Sequence, residues 1–278
     1  MKKIWQNIFI IIVIGSVLAG CNNIVSQTPI AKPPTPPEDM ETALKILFIG
    51  NSLTYVNDLP GMFRELSHVA GKEFFVDEKT IGGAKLELLS ENQGVLNKIR
   101  EKKWDYIILQ SDDITAFPDM YHIEIATLNR FKNIIYANNP TTRILYFMVW
   151  GLQDGVTLRE VNGEMVYYSY WKYMEKIYTG TVHIAKETEL QIAPVGWVWY
   201  ELLKNKPETI LFAADKAHPA LRGSYIGACV FYAVIFGESA EGLAYYSDIP
   251  AAEATYLQAL SSVTVLDNLE LWQIRSQT

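Results

Sequence analysis

From residue 43 onward, short apolar runs alternate with longer stretches in which apolar side chains recur every three or four positions. The short runs have the length of buried strands, and the longer period is that of helices packed by one face. Lys45 to Ile49 is the first expected strand, and Leu59 to Ala70 the helix after it, with Gly71 as its stop. Glu73 to Lys79 reads as a second strand ending at Ile81-Gly82-Gly83. Leu86 to Lys102 reads as a helix carrying Leu86, Leu89, Val95, Leu96 and Ile99. Trp104 to Leu109 and Arg143 to Val149 are strands three and four, on either side of a helix over Ile123 to Ala137. Thr157 to Val166 is an excursion, read as a hairpin turning at Asn162-Gly163. Tyr168 to Glu187 is a long aromatic helix, Leu190 to Val195 a fifth strand and Trp197 to Lys204 a short helix. Thr209 to Ala213 is a loop or short extended piece, and Leu221 to Phe236 the last strong helix. Residues 251–275 are expected to be a helix followed by a strand.

Strands linked by crossover helices predict an α/β fold, a three-layer α/β/α arrangement around a doubly wound, five-stranded parallel sheet. Ligands of such sheets bind outside the carboxyl ends of the strands. Ser52 lies just past strand one, Gly82 and Gly83 past strand two, Gln110 past strand three, and Trp150 and Gly151 past strand four. All fall on the same edge.

Residues 1–42 follow a different pattern. Lys2 and Lys3 precede an apolar core, Ile8 to Leu18, which closes at Leu18-Ala19-Gly20-Cys21. This is the layout of a signal peptide over residues 1–20. The tetrapeptide resembles a bacterial lipobox, in which Cys21 becomes the lipidated first residue. An uncleaved anchor is the competing reading, but the apolar run is short of the ~20 residues a spanning helix needs. Both readings place the domain outside the cytoplasm, facing the periplasm or the cell surface, with the membrane as partner through Cys21. Residues 21–42 contain Ala31-Lys32-Pro33-Pro34-Thr35-Pro36-Pro37, an extended tether. Residues 43–278 form the domain.

Removing residues 1–20 takes away two lysines and no acids, leaving 22 basic against 31 acidic side chains, a net charge of −9 in place of −7. An acidic chain without a basic cluster argues against nucleic acid as partner. With Cys21 lipidated, Cys229 stands alone of the two cysteines, which excludes a disulfide framework and a cysteine zinc site. The four histidines are scattered without a His-x-x-x-His pair. Neither a metal nor another cofactor is expected.

Ser52 stands in Gly50-Asn51-Ser52-Leu53-Thr54, on the turn from a strand to a helix. A serine there is ordinarily a cap. With a base in reach it is a nucleophile whose own N–H faces an oxyanion. Thr54 occupies the place where a Gly-x-Ser-x-Gly elbow requires glycine. The other requirements sit on one late loop, Asp215-Lys216-Ala217-His218-Pro219: an imidazole to take the serine proton and a carboxylate to fix its tautomer. Gly82 and Gly83 offer bare N–H groups, and Gln110 an amide, for an oxyanion. Asp112 is a candidate for binding a substrate hydroxyl, and Trp150 for stacking on a sugar ring.

In order along the chain, these residues resemble the SGNH (GDSL-type) hydrolase superfamily. Gly50-Asn51-Ser52 looks like its first block, with Asn51 where aspartate is commoner. Ile81-Gly82-Gly83 looks like the second, and Asp215-Lys216-Ala217-His218 matches the Asp-x-x-His of the last. The third block, usually Gly-x-Asn-Asp, reads Leu109-Gln110-Ser111-Asp112 here, a variant like that of a less-characterised bacterial branch. The resemblance implies a flavodoxin-like SGNH fold and a serine esterase, often one that removes acetyl groups from carbohydrate. Ser52 would be the nucleophile, His218 the base and Asp215 the orienting acid. Ser52, Gly83 (or Gly82) and Gln110 would form the oxyanion hole. A lipid or general carboxylester substrate is an alternative. So is a non-catalytic lipoprotein binding glycan or an envelope partner.

Overall fold

The computed structural model describes residues 43–160 and 163–274. The expected signal peptide and tether, with Cys21, lie outside the described residues, as does Asn162. The chain runs β1 (Leu44–Gly50), α1 (Ser52–Tyr55), α2 (Leu59–Val69), β2 (Phe74–Thr80), α3 (Leu86–Leu89), α4 (Gln93–Glu101) and β3 (Tyr106–Gln110). It continues through α5 (Tyr121–Asn138), β4 (Arg143–Phe147), β5 (Val156–Arg159), β6 (Met165–Tyr168), α6 (Tyr170–Thr188) and β7 (Gln191–Ala193). It ends with α7 (Val195–Asn205), α8 (Leu221–Phe236) and α9 (Ala251–Leu266).

Five parallel strands pair in the order β2-β1-β3-β4-β7. Ile46, Leu47, Phe48 and Ile49 are wholly buried, as are Ile107, Ile108 and Leu109. That is why these strands read as continuous apolar runs without alternation. The chain leaves β1 toward β2 and returns past it to β3, so the strand order switches direction between β1 and β3. The crevice beyond a switch point is where such sheets bind ligands. Ser52 and Gln110 sit on either side of it.

One helical layer is α2 packed on α8, with α9 outside α8; α4, α5 and α6 pack in sequence in the other layer. Every residue from Gly223 to Ile235 is buried, so α8 is apolar all round and lies between the sheet and α9. Phe231 of α8 meets Phe48 of β1 and Phe147 of β4 edge-on, with centroids 5.0 and 5.1 Å apart. Such T-shaped contacts suit the ring quadrupoles.

Two expectations need correction. The helix expected over Leu86 to Lys102 is broken into α3 and α4. Ser90 Oγ donates to Glu87 O at 2.6 Å, and Asn92 Oδ1 accepts from Val95 N at 3.2 Å, starting a new helix. These short polar side chains satisfy backbone groups that a continuous helix would have paired. The strand expected after the last helix is absent among the described residues. After α9 the chain turns, and one backbone bond, from Ile192 N to Trp272 O (2.9 Å), ties it to β7, with Gln273 Nε2 donating to Leu190 O beside it. The Trp272 indole is buried and donates to Thr264 O. The excursion is an antiparallel hairpin, β5 with β6, pairing Val156 with Tyr168 and Arg159 with Met165.

Candidate active site

At the end of β1, Asn51 is extended and its Oδ1 accepts from Leu53 N at 3.0 Å, capping α1. Ser52 is the first residue of that helix. An N–H at this position has no acceptor four residues earlier in the helix, and among the described residues none is found elsewhere. A Cβ added to Gly50 would lie 2.5 Å from both Gln110 Oε1 and Thr54 Oγ1. Only glycine permits the amide of Gln110 to reach the turn.

The late loop leaves a bridge between Phe212 and Pro219 and turns back on itself. Ala213 N donates to His218 O and Lys216 N to Ala213 O, each at 2.9 Å. Asp215 Oδ1 accepts from the backbone N–H of Ala217 (3.1 Å) and of His218 (2.9 Å). Its Oδ2 meets His218 Nδ1 at 2.5 Å. A carboxylate only accepts, so the proton sits on Nδ1 and leaves Nε2 as an acceptor. Nε2 lies 2.8 Å from Ser52 Oγ. Hydroxyl, imidazole and carboxylate therefore form one hydrogen-bonded row across 166 residues of sequence. Partial burial pushes the Asp215 carboxyl up, but the His218 ring and the two backbone donors outweigh it and hold the group below its ordinary value.

Asn57 was not singled out from the sequence. With φ of 59° it is left-handed, as is Asp58 at 53°, and this bend follows directly on α1. Asn57 Nδ2 donates to Pro219 O and to Ser224 Oγ, both at 3.0 Å, and Ser224 Oγ donates to Val56 O. The pair joins the segment that carries the serine to the loop that carries the histidine. An Asn-Asp pair tolerates left-handed backbone, a signal for the bend but not for its partner.

The remaining candidates separate. Gly82 and Gly83 are exposed, Gly83 has φ of 69°, and neither N–H meets an acceptor among the described residues. Their turn is held beside the serine by Asn51 Nδ2 donating to Ala84 O at 3.0 Å. Gln110 does not offer its amide to the site. Nε2 donates to Asn51 Oδ1 and Ser111 O, both at 2.9 Å, and Oε1 accepts from Asn51 N and Thr54 Oγ1. It braces the serine turn from below, and the oxyanion role expected for it needs correction. Trp150 is also not an open platform: its indole is buried and lies face to face with Trp199, centroids 3.9 Å apart. Asp112 is half-buried, and its Oδ1 accepts from Ile114 N at 2.7 Å. Burial pushes its carboxyl up; the Lys85 ammonium opposes this and the Asp113 carboxylate adds to it.

The row lies on an open edge, with the Asp215 and His218 side chains 52% and 38% exposed. It is separate from two surface hollows among the described residues, one lined by Glu78, Lys79 and Lys98 and the other by Arg100 and Asn133.

No family model matches the sequence, and no curated protein matches it. Solved structures do. A DUF4886 family protein from Bacteroides uniformis superposes with a TM-score of 0.66 at 19% identity, over 84% of this chain and 97% of the other. A candidate SGNH hydrolase from Slackia heliotrinireducens gives 0.53 at 20% identity, over 68% and 97%. The chain has the fold of the SGNH hydrolases. Here the carboxyl ends of β1 and β3 and the loop before α8 bring Ser52, Gln110 and His218 to one edge, with the Gly82-Gly83 turn tied to it through Asn51 and Ala84.

Proposed function

We propose that this protein is a serine esterase acting on O-acyl esters, chiefly acetyl esters of carbohydrate, from an extracytoplasmic, lipid-tethered position. The observation that carries the reading is the row Ser52 Oγ, His218, Asp215, with separations of 2.8 and 2.5 Å. Ser52 Oγ attacks the ester carbonyl carbon as His218 Nε2 takes its proton. The oxyanion of the tetrahedral intermediate is held by the N–H groups of Ser52 and Gly83. On collapse the carbon–alcohol bond breaks, and His218 gives its proton to the leaving alcohol. Water then attacks the acyl-serine as His218 takes its proton; the bond from the acyl carbon to Ser52 Oγ breaks, the proton passes from His218 to Oγ, and the acid leaves.

The open edge supports a bulky alcohol part such as a glycan, and Asp112, two residues past the end of β3, is the candidate to accept from a sugar hydroxyl. The acetyl preference and the tether at Cys21 rest on motif resemblance. Hydrolysis of p-nitrophenyl acetate by the purified protein, compared with Ser52→Ala, tests the chemistry. A drop in kcat on the order of 10³-fold or more is expected. Equal rates would remove Ser52 from the mechanism. Release of acetate from acetylated xylo-oligosaccharides, against hydrolysis of p-nitrophenyl octanoate, separates a glycan substrate from a lipid.

A further inference from the structure

Asp215 is held by two peptide groups, and each is gripped from its far side. The Ala217–His218 peptide donates its N–H to Asp215 Oδ1 (2.9 Å) and accepts at its carbonyl from Trp150 Nε1 (2.9 Å). The Lys216–Ala217 peptide donates its N–H to the same oxygen (3.1 Å) and accepts at its carbonyl from Gln153 N (3.0 Å). A peptide is planar, so fixing the carbonyl fixes the direction of the N–H. The loop has bonds of its own, but within it Lys216 is left-handed at φ 63°. That is an unfavourable region for a residue with a Cβ.

Trp150 is well placed to act as the anchor. It stacks on Trp199 at an interplanar angle of 10°. Trp199 is fully buried, donates to Gly223 O at 3.3 Å and meets Phe212 edge-on at 5.0 Å. Phe212 bridges to Pro219, the residue after the histidine. The indole N–H is therefore fixed relative to both ends of the loop.

Resting on the proposed esterase mechanism, we infer that Trp150 is a positioning residue for that reaction: its indole N–H sets the plane of the Ala217–His218 peptide, and through it the carboxylate that orients His218. It touches no substrate. Trp150→Phe removes the donor but also shrinks the ring. Replacing Trp150 with benzothienylalanine, which has sulfur where indole has N–H, keeps the outline and the stacking. Both should retain the wild-type unfolding midpoint to within a few degrees. For the isostere, kcat on p-nitrophenyl acetate should fall between about tenfold and a hundredfold, the range that a displacement approaching 1 Å costs. KM should stay within about twofold, as expected when only the transition state is affected.

A readout independent of turnover is the downfield proton resonance of the His218 Nδ1–H bond to Asp215, assigned by its loss in His218→Gln. In the isostere it should move upfield or broaden. An isostere with wild-type kcat and an unshifted resonance would overturn the assignment. So would a raised KM at constant kcat, which would make Trp150 a substrate contact. Because the resonance needs no substrate, an inactive wild type would sink the esterase reading while leaving the positioning role open to test.

Discussion

A primary amide has two donors and two acceptor lone pairs, and at position 110 the protein uses all of them inside a 2% exposed site. Its sequence position, at the end of an apolar strand, was legible; its partners were not, because Asn51 and Thr54 are more than fifty residues away. Gln110→Ala would leave Asn51 N–H, Thr54 Oγ and Ser111 O without partners. Each buried unsatisfied group costs ~1–3 kcal/mol, so a loss of about 3 kcal/mol is expected in urea unfolding. A direct oxyanion donor would behave differently. Its removal would lower kcat by ~10²–10³ with little change in stability, and that outcome would reinstate the role first expected for it. Trp150 was misread for a related reason: residue type and strand end were right, but burial depends on Trp199, which arrives from a later helix.

At the level of elements, apolar period identified every strand of the parallel sheet and each long helix, with ends displaced by a residue or two. It failed where local polar side chains compete with the helix. Leu86 to Lys102 has helical spacing throughout, but Ser90-Glu91-Asn92 favours a cap over continuity. Asn92→Ala should cost ~1 kcal/mol, the usual worth of an N-cap, and leave turnover of p-nitrophenyl acetate at the wild-type rate; thermal unfolding beside that assay checks both. A harsher case is Gly180 in α6, where an added Cβ would lie 1.7 Å from Thr115 O. That carbonyl belongs to the segment after β3 that begins with Asp112 and Asp113, and Tyr173 of α6 donates to Asp113 at 2.9 Å. Gly180→Ala should destabilise by ~1–3 kcal/mol, the cost of overpacking. It should also disturb this segment, read as a changed KM for p-nitrophenyl acetate.

For the whole molecule, one buried acid sets a pH dependence. Glu124 opens α5 with 2% exposure and accepts from Tyr146 Oη at 2.8 Å. Burial, helped by the Asp112 carboxylate, pushes its carboxyl up from 4.5 to about 7, against the Tyr146 hydroxyl and Lys85. Between these two values the folded protein keeps a proton that the unfolded chain has lost. Its stabilising contribution is complete below 4.5, falls as pH rises through the window and is gone above 7. About 3 kcal/mol is lost across it at 1.36 kcal/mol per unit. Urea unfolding at pH 5 and pH 8 should show this fall in the wild type and a flatter dependence in Glu124→Gln. An equal slope in both would remove Glu124 as the source.

The sequence by itself determined the layers, the strand number of the parallel sheet and the edge on which Ser52, Gly82 and Gly83 would lie, because apolar period and turn residues act over a few positions. Tertiary structure decided what each polar group on that edge is free to do. Gln110 and Trp150 are spent on backbone and neighbouring side chains, whereas the N–H groups of Ser52 and Gly83 have no acceptor among the described residues. A hydrogen-bonding group can donate each proton once, and which acceptor arrives first is set by segments distant in the chain.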